Sequence, residues 1–319
     1  MNGSPVRPLL LHGAVILLLF ALNFLLPEYH HGVLARVMVL TVFAMGYNIL
    51  FGYAGLLSLG HAMFFAAGLY GAALPIYHLG WGMAAGFAGG IACGALLALA
   101  IGVLALRTTG VSFMIVTMMF SQIVYLLTLY FGTWTRGDEG LVIASELRRI
   151  DVGPMHFNLV DPATRYMAAL ALFTVVLLVC LAVVRSPFGR VLVAIRENEE
   201  RAKMLGFDTF ANKLAAMVLS GAICAAAGAA YVILFGYVGS TFASVQYSIL
   251  PLLWVLLGGA ATTLGPLIGT LFMYYVVDVT QGFLQAYMLV VGVSLILLVL
   301  YFPKGILGTI RARWVRWLP

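Results

Sequence analysis

The sequence predicts an all-α, polytopic integral membrane protein, and three observations carry that reading. Apolar residues make up 63% of the chain and charged residues only 9%, against roughly 45–50% and about 25% in soluble domains. Mean hydropathy is +1.08. The apolar residues also fall into runs close to the 20 or so that a helix needs to cross a bilayer. No stretch between runs is long enough to fold alone, so residues 1–319 read as a single transmembrane domain.

The first run, 9–26, follows Arg7 much as a secretory signal would. No small-residue cleavage site follows it and it is long enough to span, so it reads as the first crossing. Further crossings are expected at 33–51, 56–77, 82–106, 111–131, 164–184, 212–235, 246–260, 264–282 and 285–302, about ten in all. The run LPLLWVLLGGAATTLGPLIG carries Pro251, Gly258, Gly259, Gly265 and Pro266. It is expected to be broken or re-entrant, since irregular backbone at membrane depth survives only where protein or a wet cavity satisfies it.

Ten crossings put both termini on one side. Arg7, Arg107, the basic residues from Arg185 to Lys213, and Lys304, Arg311, Arg313 and Arg316 then lie together, 12 of 17 basic residues, leaving Arg36, Arg136, Arg148, Arg149 and Arg165 opposite. The positive-inside rule makes the richer side cytoplasmic. Residues 132–163 become an extracytoplasmic loop and 303–319 a basic cytoplasmic tail. Trp314 and Trp317 among the tail's arginines suit an interfacial anchor or contact with anionic membrane lipid.

Residues 186–207, SPFGRVLVAIRENEERAKMLGF, hold seven of the 17 basic and 11 acidic residues of the whole chain. Ser186 before Pro187 is a helix start and Gly206 a stop. Val191, Ala194, Ile195, Ala202 and Leu205 share one helical side. Glu197 with Arg201 and Glu199 with Lys203 are spaced for i to i+4 ion pairs. One amphipathic helix at the cytoplasmic surface is predicted. Its mixed charges fit a groove on a protein better than an anionic bilayer, which would favour Lys and Arg alone.

Within it, AIRENEERAKMLG (194–206) resembles the loop by which permease subunits of ABC importers engage their ATPase. The flanking SPFGR and KLAAMVLSGAICAAAGAAY are similar to the branched-chain amino acid permease family of those importers. So are GYAGLLSLGHAMFFAAGLYGAAL from Gly52, RTTGVSFMIVTMMFSQIVYLL from Arg107, TRGDEGL from Thr135, GGAATTLGPLIGTLF from Gly258 and the closing YFPKGILG. The family commonly has T-G-G-x-x-G-L where this chain has Thr135-Arg136-Gly137.

The resemblance implies the longer of two paired permease subunits in a bacterial inner membrane. Its implied partners are a second permease subunit, two ATP-binding subunits and a periplasmic solute-binding protein. It also implies ATPase-coupling roles for Arg196, Glu199, Glu200, Ala202, Lys203 and Gly206. No cofactor, metal or nucleic acid is implied for the chain itself, since ATP would be bound by partner subunits.

The sequence points the same way on chemistry. There is no G-x-x-x-x-G-K-[ST], no H-E-x-x-H and no nucleophile with a paired base, so no catalytic residue is assigned. Cys93, Cys180 and Cys224 lie in apolar segments without metal spacing. GYAGLLSLGHA is the candidate translocation pathway, with Gly52, Gly55, Ser58, Gly60 and His61. His61 suits either a hydrogen bond to a neighbouring helix or a direct role in solute passage or gating. Small residues at 82, 86, 90, 94, 98 and 102 form a ridge for close packing, within the subunit or between subunits. Ser220, Cys224 and Gly228 form a second such set. Asp278 is an acid inside an apolar run, where a hydrogen bond or partial solvation is expected. An ion-coupled transporter would need more intramembrane acids and histidines than Asp278 and His61 provide. So few buried charges suit a net-neutral solute: a branched-chain or related amino acid or, alternatively, urea, a short amide or a small aromatic.

Overall fold

The computed structural model describes residues 6–152, 155–281, 289, 292, 293, 296, 300–302 and 304–313. The expected crossing at 285–302 lies largely outside the described residues, as does the tail beyond 313. Among the described residues six helical stretches are long and apolar enough to span a membrane. They comprise α2 (Glu28–Asn48) with its π-helical extension Ile49–Tyr53, α3 (His61–Leu79), α4 (Met83–Ala105), α5 (Gly110–Tyr130), α7 (Pro162–Arg185) and α10 (Thr209–Phe235). Around them lie α1 (Val6–Leu25), the short α6 (Gly132–Thr135), α8 (Pro187–Glu197), α9 (Glu199–Met204), α11 (Val245–Gly258), α12 (Gly265–Gln281) and α13 (Ile306–Arg313).

Helices α2 and α10 form the centre and are buried along most of their length, whereas α4 and α5 turn long apolar side chains such as Leu96, Ile115 and Ile123 outward. Small residues set the spacing inside. A Cβ on Gly68 would overlap the Ala225 carbonyl, one on Gly228 the Phe65 carbonyl, and one on Gly94 the Ala225 methyl. The glycine ridge of α4 therefore packs inside the subunit, against α3 and α10, with Gly86, Gly90, Gly94, Ala98 and Gly102 buried.

Two segments with the same sequence pattern interrupt the bundle, the first as a π-helix and the second as a left-handed glycine followed by a strand. Phe51-Gly52-Tyr53-Ala54-Gly55 follows α2, and α3 begins nine residues after its first glycine, at His61. Phe235-Gly236-Tyr237-Val238-Gly239 follows α10, and α11 begins nine residues after its first glycine, at Val245. Helix α2 runs toward the end that carries α8, and α10 runs away from it, so the two breaks lie at opposite ends. The same short pattern thus ends two oppositely directed helices. The second occurrence is not expected from the sequence, because only its first five residues resemble the first.

Both breaks lead to helices that start at mid-depth. His61 meets Ser220, which lies 11 residues into α10, about 17 Å along its axis. The expected crossing at 56–77 is corrected accordingly: residues 56–60 are non-helical and the helix starts only at His61. Helix α11 has 14 residues, about 21 Å, short of the roughly 30 Å hydrocarbon core.

At the end opposite α8, β1 (Leu141–Val142) pairs antiparallel with β4 (Tyr237–Val238), and β2 (Arg149–Val152) with β3 (Met155–Asn158). Asp278 accepts a hydrogen bond from the Tyr29 hydroxyl at 3.0 Å, one of the two expected outcomes.

Candidate functional site

The segment 186–207 folds as two helices instead of one. Ser186 caps α8 through the Gly189 amide at 3.2 Å, as the Ser-Pro start predicts. Asn198 then leaves the helix (φ −162°, ψ 103°) and caps α9 by accepting from the Arg201 amide at 2.9 Å. An Asn oxygen competes well for orphan amides, so the polar run breaks there. The expected Glu197–Arg201 pair does not form, because its members lie on different helices.

Glu199 does pair with Lys203, at 3.7 Å, and Lys203 lies 2.9 Å from Glu200. Glu199 is also ion-paired to Lys213 of α10. Burial pushes the Glu199 carboxyl up, but the Lys213 ammonium outweighs it, and the pKa lies below the usual carboxylate value. Ala202 is buried and Gly206 takes the left-handed conformation, φ +85°, as a helix stop. Leu205 is not on the buried side: Leu192 and Ile195 are, while Leu205 is 69% exposed beside exposed Met204, Phe207 and Phe210.

Arg196 turns inward. Its guanidinium donates to the Gly52 carbonyl, and its stem lies on Gly55, whose φ of +74° suits glycine. The expected coupling helix and the expected pathway segment thus meet directly. The same break is clamped from the other side. Asn48 donates to the Thr262 carbonyl at 2.9 Å and accepts from the Ala261 amide at 3.1 Å. Ala261 has a φ of +57°, a conformation costly for a non-glycine residue, and Arg311 of α13 holds its carbonyl at 2.9 Å. A Cβ on Gly52 would strike Asn48 and the Ala261 amide, so the contact requires glycine.

The remaining residues of the expected pathway are closed in. Ser58 is buried and accepts from the Gly60 amide at 3.2 Å. Gly60 abuts the Thr117 carbonyl of α5. The Ser220 hydroxyl donates to the Gly46 carbonyl at 2.6 Å, so it accepts from Nε2 of His61 at 3.0 Å. That fixes the tautomer: the ring carries its proton on Nε2, and buried Nδ1 has no partner. The Ala62 amide donates to Ser248 of α11 at 2.9 Å. Helices α2, α3, α10 and α11 therefore meet in one polar knot at mid-depth.

The second break is held by other means. Phe242 packs on Phe65, Tyr231 and Tyr247, with ring centroids 5.0–6.0 Å apart. Pairing of β1 with β4 ties it to the loop, and Ser240 donates to Asp138 at 2.5 Å. In that loop Arg136 has a φ of +56°, the conformation that the glycine common in T-G-G takes freely. The guanidinium lies over the Tyr77 ring and donates to its hydroxyl at 3.1 Å. An apolar crevice of about 400 Å³ opens nearby between α3 and α5, lined by Ala66, Tyr70, Val124 and Thr128 among others.

Among the described residues the site thus sits in a bundle of six span-length apolar helices, with a charged helix pair fastened to one of its two breaks, as a multi-pass membrane protein would have. The comparisons give the family. Residues 30–301 match the family described as the permease component of branched-chain amino acid transport systems, and the chain belongs to it. It is therefore an ABC-type permease component, and such permeases are not themselves enzymes. The chain is 29% identical to the high-affinity branched-chain amino acid transport system permease protein LivM of Escherichia coli K12, over 98% of this chain and 77% of that one. It is 28% identical to the Salmonella typhimurium LivM with the same coverage. A probable LivM of Methanocaldococcus jannaschii is 32% identical over 38% of this chain and 40% of that one. No solved structure matches.

Proposed function

We propose that the chain is a translocating subunit of an ATP-driven importer for branched-chain or related hydrophobic amino acids. It works in a bacterial inner membrane with both termini cytoplasmic, beside a second permease subunit, two ATP-binding subunits and a periplasmic solute-binding protein. The α8 end faces the cytoplasm, a reading that the basic residues there support. The exposed Met204, Leu205, Phe207 and Phe210, rimmed by Glu200 and Lys203, form the grip for an ATP-binding subunit. Residues 132–163 form the extracytoplasmic loop and 303–319 the cytoplasmic tail.

One observation carries the mechanism: Arg196 joins the coupling helices to the Gly52 carbonyl. Closure of the ATPases displaces α8 and α9, Arg196 transmits the shift to residues 52–60, and the polar knot at His61 and Ser220 rearranges. Gly55 and Gly60 allow that segment its turn and close approach. The pathway then opens at one break while the other stays shut. The substrate class is supported by the named relatives and by the apolar lining of the α3–α5 crevice.

The test is uptake by the co-purified assembly in proteoliposomes. Leucine, isoleucine or valine uptake should cease when ATP hydrolysis is blocked. Gly206→Pro, or charge reversal at Glu199 and Glu200 together, should leave insertion intact and lower both uptake and ATPase coupling. Normal transport by both variants would remove the docking assignment. Tight binding of an amide or aromatic acid by the partner binding protein, with no response to leucine, would move the substrate to the alternative class.

A further inference from the structure

Three guanidinium groups converge where α10 ends, at the end opposite α8. Arg36 of α2 lies 5.0 Å from the Phe235 ring centroid, and Arg165 of α7 lies 5.6 Å from the same ring. Arg148 donates to the Leu234 carbonyl at 3.2 Å. Two of the three have structural work. Arg148 caps α10, whose last carbonyls lack intrahelical partners. Arg165 fastens the neighbouring loop through the Leu159 and Val160 carbonyls at 3.3 and 2.9 Å.

Arg36 has little of either. Its one hydrogen bond is long, 3.4 Å to the Tyr274 hydroxyl, and its Nε is buried with no partner. The Nε of Arg148 is buried and unpartnered too. Among the described residues none of the three is ion-paired to a carboxylate; the ion pairs there all lie at the α8 end. Asp161, close to Arg165 in sequence, is committed to capping α7 through the Thr164 amide and hydroxyl.

Like charges placed together repel, Asp161 offsets only the Arg165 charge among them, and an ionisable group within a membrane span is costly unless it is used. A guanidinium with free donors has the fork that a carboxylate fits, charge-assisted and bidentate. We propose that Arg36, flanked by Arg165 and Arg148 around Phe235, forms an oxyanion site that takes the carboxylate of a small aliphatic amino acid or monocarboxylate at the outer mouth of the permease. The site rests on the orientation and substrate class proposed above and deepens them: the carboxylate is read here while the aliphatic part lies against aromatic rings.

The test is equilibrium binding to the full-length chain in phosphatidylcholine nanodiscs, with L-leucine, 4-methylpentanoate and L-leucinamide as probes. Leucine and 4-methylpentanoate should bind and leucinamide should not. Arg36→Gln should weaken the first two at least about tenfold, equivalent to 1.4 kcal/mol, and Arg36→Lys should weaken them less, since it keeps the charge but not the fork. Should Arg36→Gln fail to fold, Arg36→Lys and Arg165→Gln carry the same test. Equal binding of leucinamide, unchanged binding in the Arg36 variants, or no carboxylate binding at all overturns the site. Loss of carboxylate binding in phosphatidylglycerol nanodiscs alone assigns the arginines to lipid headgroups and also overturns it. So does loss of solute-binding-protein docking in Arg36→Gln with leucine binding intact. Normal leucine uptake by an Arg36→Gln importer sinks the site and spares the transport reading. Arg36-dependent carboxylate binding by a chain whose assembly moves no leucine does the reverse.

Discussion

The two breaks share the pattern Phe-Gly-Tyr-x-Gly and the same distance to the next helix, yet they differ in the balance of hydrogen bonds and ring contacts that fastens them. The break after α2 is held by Arg196 on the Gly52 carbonyl and by Asn48, the last residue of α2, which is bonded to the backbone of Ala261 and Thr262 that Arg311 holds in turn. The break after α10 is filled by rings packed edge-on and tilted, with Arg148 on the Leu234 carbonyl before it, and is bound to the loop by two strand residues and one carboxylate. Directed hydrogen bonds can be made and broken by a small displacement, whereas aromatic packing yields only when several rings move together. On the mechanism proposed above, the first break is the one a lever drives and the second stays shut until its neighbours move.

Substitutions should separate the two. The largest effect is expected for Arg196→Met, which cuts the link between α8 and residue 52 while keeping a long side chain. Uptake should fall more than about tenfold, at least 1.4 kcal/mol of coupling, with a normal amount of inserted protein by immunoblot. Asn48→Ala comes next, because it strands the Ala261 amide and the Thr262 carbonyl. Buried orphans cost about 1–3 kcal/mol each, so the thermal unfolding midpoint in detergent should drop by several degrees. Asp138→Asn, at the opposite break, keeps an acceptor for Ser240 but loses charge assistance; initial uptake rates should change less than about threefold.

Smaller effects sharpen the contrast. The folded-state pKa of Glu199 is depressed, so its tie to Lys213 is fully present above the ordinary carboxylate pKa, about 4.3. The tie is lost as pH falls below that value and through the depressed one. Protection factors of the α9 amides, taken relative to intrinsic exchange at each pH, should therefore fall below about pH 4 in the wild type, and in Glu199→Gln they should be low at all pH. Arg136→Gly should change stability by no more than about 1 kcal/mol, since relief of a positive φ offsets the lost stacking on Tyr77. A large loss would mean that the guanidinium has a further role.

The first break was legible in the sequence because three glycines within nine residues of an apolar run weaken a continuous helix and suit a turn. The apolar runs likewise marked most crossings within a few residues. The second break was hidden: after Phe-Gly-Tyr-Val-Gly come Ser240 to Val245, which share neither glycines nor a histidine with Leu56 to His61. The kink at Asn198 was masked by well-spaced charges, since ion-pair spacing reports what a helix would gain and not whether an Asn interrupts it. Leu192 and Leu205 traded places for the same reason: one helical wheel cannot describe two helices. Whether His61 is bonded or free depends on Ser220, 159 residues away, and no local pattern encodes that.

The account stands most directly on whether the two breaks move reciprocally. Cys93, Cys180 and Cys224 can be replaced by Ala, and single cysteines placed at Leu57 in the first break and Tyr237 in the second. Labelling by a membrane-impermeant thiol reagent is then followed in the assembled importer with and without a non-hydrolysable ATP analogue. The account predicts that nucleotide raises reactivity at one position and lowers it at the other. Reactivities that rise and fall together, or that ignore nucleotide at both positions, would contradict it.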